Sequence, residues 1–302
     1  MVTVIKIKVT GTEFFYLSHS IRDGNKVINK RKYLGRVVPH NIEEIKIDFL
    51  REIYQERWFS KLDKIKKNFR AELQRMPNDI QESELENFMI KFTYNTNKIE
   101  GGTLTLRETA NVLHNKITPS YKPIRDVKEA ESHKEVFYKM LDFKEDLTLN
   151  IILKWHKIMF KDTKPQYAGK IRNVNVGVTG SAVVFPTYHE LDFLLKDFFK
   201  WYNKNKFKLH PVELSALVHL KFVSIHPFGD GNGRISRLIM NFVLKKYDYP
   251  MLDISYKNRD PYYNALERSQ IKKQDHVFVQ YLIKRYIRDF KQYIDVRKKK
   301  NE

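Results

Sequence analysis

The chain has 302 residues, 42% of them hydrophobic, which is enough for one large domain with appendages or two small ones around a sizeable core. It contains no cysteine, so disulfides and thiolate chemistry are excluded, and no apolar run is long enough to span a bilayer. Fifty-six basic residues against 36 acidic ones leave a net charge of +20, which favours polyanionic partners. One nucleotide would use only a few of those charges, and a lysine-rich composition accounts for the rest more simply than a dedicated nucleic-acid surface does.

Residues 1–38 read as β structure. Met1 to Val9 alternate apolar and polar residues and lack the unbroken apolar core of a signal peptide, and with the missing cysteines this fits a cytoplasmic protein. Gly11-Thr12 permits a turn. Phe14 to Ile21 lead to Asp23-Gly24-Asn25, a hairpin signal, and the return strand Val27 to Leu34 is strongly basic. From Ile42 to Asn78 the pattern is helical and charged, and Pro77-Asn78-Asp79 breaks it. A helix over 81–100 carries Leu85, Phe88, Met89, Phe92 and Ile99 mostly on one side and stops at Gly101-Gly102. Further helices are expected over 104–116, 126–143 and 148–160. Val174 to Val178, a Gly180-Ser181 turn and Ala182 to Pro186 read as a β-hairpin. Thr187-Tyr188-His189-Glu190 then has the spacing of a capping box.

Two amphipathic helices follow. The first carries Leu214, Leu217, Val218, Phe222 and Ile225, with Pro211 in its first turn. The second carries Ile235, Leu238, Ile239, Phe242 and Val243. They are joined by His226-Pro227-Phe228-Gly229-Asp230-Gly231-Asn232-Gly233-Arg234, with Arg237 three residues on. This segment combines a proton acceptor, a carboxylate, flexible small residues at a helix start and two cations on one face. Those are the parts needed for chemistry on a nucleoside triphosphate. A calcium loop would need more alternating acidic ligands and a closing Glu, and a Walker loop would need Gly-Lys-Ser/Thr after a strand; neither is present.

The run His-Pro-Phe-x-Asp-Gly-Asn-Gly-Arg-x-x-Arg resembles, without a gap, the signature of Fic (Fido) domain proteins. The resemblance implies a mainly α fold: a Fic-type helical core with a β-hairpin flap, here joined to a small N-terminal β-hairpin region. It implies transfer of AMP from ATP to a hydroxyl of a protein Ser, Thr or Tyr. His226 would be the base and Phe228 the anchor of the loop. Asp230 would hold Mg²⁺. Gly229, Asp230, Gly231, Asn232, Gly233, Arg234 and Arg237 would bind the nucleotide, with Tyr262 and Tyr263 at the adenine. Gln270 stands where close relatives often have Asn. The flap, Val178, Thr179, Gly180, Ser181 and Ala182, would take the target's backbone as an added strand. The chain then divides into an N-terminal basic region (1–45), a helical region (46–145) with an inhibitory helix (81–102), a catalytic core (146–285) and a basic tail (286–302).

Thr96-Asn97-Lys98-Ile99-Glu100-Gly101 also fits the family's inhibitory pattern, Ser/Thr-x-x-x-Glu-Gly/Asn. A carboxylate at a helix C-terminus opposes the dipole by about 0.3–1 kcal/mol, which a nearby arginine removes. The resemblance implies that Arg237 is that arginine, with Thr96 orienting Glu100, and that an Arg237 so held cannot hold the γ-phosphate. Two other functions stay open: removal of AMP at the same site, with Glu100 orienting water, and a nucleic-acid-binding regulator whose core senses nucleotide. A homo-oligomer is also compatible with the sequence.

Overall fold

The computed structural model describes residues 2–23, 26–177 and 180–295. Residues divide into two compact units, 1–64 and 65–302.

The first unit is built on a three-stranded antiparallel sheet in the order β1 (Thr3–Val9), β2 (Thr12–Asp23), β3 (Lys26–Gly35). Thr10 and Gly11 both have positive φ, the conformation of a two-residue hairpin turn whose twist matches the strands. Gly24 and Asn25 of the second hairpin signal lie outside the described residues. Val4 pairs with Leu17, and Leu17 with Lys32, so these share a face; His19 and Lys30 share it too. That face is covered. Leu17, His19 and Ile21 are buried. Lys32 and Lys30 make ion pairs with Glu52 and Glu56 at 2.5 and 2.6 Å, which bring α1 (Ile42–Tyr54) and the wider turn after it onto the sheet. Phe49, Ile53, Tyr54 and Trp58 supply the apolar side of that helix.

A five-residue π-helical stretch, Gln55–Phe59, carries α1 into α2 (Ser60–Arg75). The expected break is present: α2 ends at Arg75, and α3 (Asn78–Ile99) begins after Pro77. Pro77 occupies the N-cap and Asp79 the first turn, and both residue types favour a helix start.

The second unit is helical among its described residues. After α3 come α4 (Leu106–Ala110), α5 (Ile124–Asp142), α6 (Leu149–Phe160), α7 (Leu191–Asn205), α8 (Pro211–Ile225), α9 (Asn232–Lys246), α10 (Arg259–Lys272) and α11 (Asp275–Asp289). α8 and α9 pack closely against each other. α9 touches α3, α5 and α6, whereas α8 touches α7 and α11. α8 is buried on nearly every side, as a helix apolar all round should be. No helix among the described residues is long and apolar enough to cross a membrane.

The stretch 174–186 departs from expectation. Its described residues run without a strand. Side chains take backbone groups a hairpin ladder would use: Arg172 donates to Val174 O at 2.8 Å and Pro186 O at 2.6 Å, and Glu267 Oε1 accepts from Ala182 N at 3.0 Å, as it does from the Ser181 hydroxyl. Val178 and Thr179 lie outside the described residues. So do Arg297 to Lys300 of the basic tail. The expected capping box is present, with Glu190 Oε2 accepting from both the N–H and the hydroxyl of Thr187 at 2.7 Å.

Candidate functional site

The joint between α8 and α9 is held from inside. Phe228 is fully buried and its ring stacks on His156 at 3.8 Å. Asn232 closes the loop on itself: its Oδ1 accepts from Phe228 N at 2.9 Å and its Nδ2 donates to Phe228 O at 2.8 Å. Asn232 therefore shapes the loop with its side chain and offers a ligand only its N–H. His156 accepts from Gly169 N at Nδ1, so its Nε2 carries the proton and donates to Asp230 O at 2.9 Å. Burial lowers the His156 ring to about 4, and it stays neutral.

The three glycines serve different needs. Gly231 caps α9 at φ +82 and lies against Phe160. Gly229 and Gly233 have ordinary φ, contrary to a purely conformational role. A Cβ at Gly229 would press on the Tyr167 ring, and one at Gly233 would overlap Glu100 Oε1. Gly233 leaves room for that carboxylate. The first-turn N–H groups of α9 have no acceptor within the helix and favour an anion.

His226 sits at the C-cap of α8 in the left-handed region, φ 53. Its Nδ1 lies 3.1 Å from Val223 O. A carbonyl can only accept, so Nδ1 carries the proton and Nε2 is left with a lone pair. Burial, the largest influence, lowers the ring below the usual histidine value; Arg172 adds to this, while the Val223 carbonyl, Glu100 and Asp230 work against it. Phe185 lies on the ring at 3.9 Å. Arg172 Nε donates to His226 O at 2.8 Å, so one guanidinium ties the histidine to both ends of 174–186.

Asp230 accepts from Gly231 N and from Lys164 Nζ at 2.5 Å, and from Arg234 at 3.2 Å. Burial alone would raise its carboxyl, but Arg234, Lys164 and the Gly231 N–H outweigh it and hold it below the usual range. Arg234 is 2% exposed, bonds Glu129, and lies over the Phe160 ring at 4.5 Å. Lys164 also reaches Glu129, at 3.2 Å. No cluster of three or more His, Cys, Asp or Glu able to hold a metal exists among the described residues. A cation at Asp230 would need oxygens from elsewhere. An ionised carboxylate already facing an ammonium suits a hard divalent ion completed by phosphate oxygens and water.

Arg237, 1% exposed, is held by α3. Nη2 donates to Glu100 Oε1 at 2.6 Å and to Thr96 O at 3.3 Å, and Nε donates to Thr96 Oγ1 at 2.8 Å. Burial, the largest single influence, would weaken the arginine's hold on its proton, but Glu100 and Tyr262 together outweigh it and raise it. Tyr262 is fully covered, its hydroxyl between Arg237 Nη1 at 3.4 Å and His219 Nε2 at 3.0 Å. In this arrangement the Tyr262 ring has no face open to solvent, whereas the expected adenine contact needs one. Tyr263 is half-exposed and donates to Ile99 O at 3.2 Å. Gln270 donates to Ser224 Oγ at 3.2 Å.

Residues 146–244 match the family model described as Fic/DOC family. This chain carries a Fic domain. The chain is 28% identical over 265 residues to the protein adenylyltransferase Fic of Culex quinquefasciatus, covering 86% of this chain and 50% of that one. It is 34% identical over 181 residues to the protein of the same name from Nematostella vectensis, covering 58% and 42%. The chain thus spans half or less of the length of the curated relatives it matches. A crystal structure of a Fic-domain-containing signaling protein from Bacteroides thetaiotaomicron superposes with a TM-score of 0.69 at 28% identity, over 78% of this chain and 95% of that one. The mainly helical Fic fold expected from the signature is the fold observed.

Sequence reasoning missed Glu129, Lys164, His156 and Arg172 in this Fic site. A signal existed for Glu129. It falls on the buried stripe of α5 with Asp126, Ala130, His133 and Phe137, where an acid needs a partner. Lys164, on the turn after α6, carries no mark that separates it from the chain's other lysines.

Proposed function

We propose that the chain is a self-inhibited protein adenylyltransferase, moving AMP from ATP to a Ser, Thr or Tyr hydroxyl of a protein. The observation that carries this reading is His226, with Nδ1 committed to Val223 O and Nε2 free beside the anion-attracting start of α9. The target oxygen attacks the α-phosphorus and Nε2 takes its proton. The bond from the α-phosphorus to its bridging oxygen breaks, and pyrophosphate leaves. The N–H groups of Asn232 and Gly233 and the arginines face the phosphates. Asp230 would hold Mg²⁺, which supplies charge neutralisation on the phosphates, and Lys164 has Glu129 as its other partner when Asp230 is so used. The inhibitory part of the reading rests on Arg237, which Glu100 occupies. The names of the relatives support the adenylyl-transfer part.

The test is incubation of the full chain with Mg²⁺, a lysate and ATP labelled at either the α- or the γ-phosphate. Label should reach protein bands from the α-position alone. His226→Ala should lose transfer by ~10²–10⁴-fold while ATP binding is kept. Transfer of γ-label, or undiminished transfer by His226→Ala, would overturn the reading. Release of AMP from pre-labelled protein in place of transfer would assign the site to the reverse reaction.

A further inference from the structure

The N-terminal sheet lies outside residues 146–244, the segment that matches the Fic family model. The register places Ile5, Tyr16 and Tyr33 in one row across the strands, Thr3, Ser18 and Arg31 in the next, and Ser20 and Asn29 beyond. This is the face opposite Leu17 and His19, and none of these residues is buried. Tyr33 is 55% exposed. Residues 2–38 hold eight Lys or Arg against two Asp or Glu. On the covered face, Lys30 and Lys32 are neutralised by Glu56 and Glu52. On the outer face, Arg31 has no acidic partner among the described residues, and Arg36 lies over the Phe14 ring at 5.8 Å. An exposed sheet face thus combines unneutralised guanidinium groups, small hydroxyl and amide side chains, and a rigid aromatic patch.

We propose that this outer sheet face docks into the major groove of duplex DNA. Phosphates complement Arg31 and Arg36, and Ser18, Ser20 and Asn29 are of the types that bond base edges. Three strands place their outer members about 10 Å apart, which suits a major groove about 12 Å wide. The major groove of duplex RNA is too deep and narrow for such a face. Single strands bind by stacking on open rings. Here Tyr16 and Phe14 both pack against Tyr33, at 5.2 and 6.1 Å and tilted, with Arg36 above Phe14, so Tyr33 is the one ring of the three left largely open rather than part of a row of stacking faces.

The experiment uses the full chain with three probes of matched sequence: duplex DNA, duplex RNA and single-stranded DNA, each titrated between about 50 and 200 mM salt. Duplex DNA should bind tightest, with affinity falling steeply as salt rises. The double variant Arg31→Gln with Arg36→Gln should bind DNA at least about tenfold more weakly, and the slope of log affinity against log salt should flatten by about two. Tyr33→Ala should weaken binding a few-fold and leave the slope alone. Both variants change exposed side chains and should keep wild-type ATP-dependent labelling, which separates this proposal from the adenylyl-transfer reading. No DNA binding, binding unchanged in both variants, or equal binding of either other probe would overturn the proposal.

Discussion

The two arginines of the first turns of α9 are both buried, yet they are held in opposite ways. Arg234 belongs to a network of two cations and two carboxylates: Arg234 and Lys164 each reach both Glu129 and Asp230. Taking either carboxylate away leaves two cations facing the one that remains. Among the described residues, Arg237 makes an ion pair with one carboxylate, Glu100, which comes from a helix end 137 residues earlier and is 29% exposed. A charge with one anionic partner can exchange it for another of the same sign. The difference separates a fixed scaffold from an exchangeable contact, and under the proposed function the second is where a γ-phosphate and an internal carboxylate compete.

The largest expected effect falls on the fixed side. Glu129→Ala removes a partner from both Arg234 and Lys164 and leaves the buried guanidinium with Asp230 alone. Breaking a buried pair in this way costs about 3–5 kcal/mol, to be read as lost unfolding free energy in denaturant. A loss under about 1 kcal/mol would mean that the network is as exchangeable as the Glu100 contact.

On the exchangeable side, Glu100→Gly should leave Arg237 without an anion and so raise both nucleotide affinity and labelling, by at least about tenfold, or about 1.4 kcal/mol. The double variant with Arg237→Ala should cancel the gain. Labelling is compared for wild type, single and double variants at equal protein and ATP. A single variant no more active than wild type would remove Glu100 from control of the site.

The smallest effect is graded with pH. Each arginine is backed by a neutral histidine: His156 bonds Asp230 O on one side, and His219 bonds Tyr262 on the other. Burial lowers His156 to about 4 and His219 to about 3, from the usual 6.5. The folded state therefore binds fewer protons than the unfolded one below about pH 6.5. The stability from these groups is present above that pH and is lost as pH falls through it towards 4. Asp253, which burial raises to about 7, works the other way: its contribution is present at low pH and lost as pH rises through 7. Denaturant midpoints should still fall between about pH 6.5 and 4.5, and His156→Gln or His219→Gln should each flatten that fall. A flat wild-type profile would show that Asp253 offsets the histidines fully.

Helices with strong periodicity and clear end signals were legible in the chain: Pro211, Gly101-Gly102 and the Thr187–Glu190 box all mark real boundaries. The signature placed His226, Asp230, Arg234 and Arg237 at one joint because they are close in sequence on a turn and a helix start. Local chemistry sufficed there. The stretch 174–186 misled because alternation reports which residue types could form a strand, not whether a ladder partner wins the backbone groups; Arg172 and Glu267 win them here. The covering of Tyr262 was not legible either, since an aromatic in a helix gives no sign of which neighbours surround its ring.

By itself the sequence determined the helical class, the N-terminal strands and the polar equipment of the α8–α9 joint, all of which follow from periodicity and short-range spacing. Only the tertiary structure decided what holds that equipment. Glu129 and Lys164 reach Arg234 and Asp230 from 105 and 66 residues away along the chain, and Gly233 is small because a carboxylate from α3 lies over it. Such partners are chosen by packing between helices distant in sequence, where charge neutralisation in a buried space decides which acid meets which base.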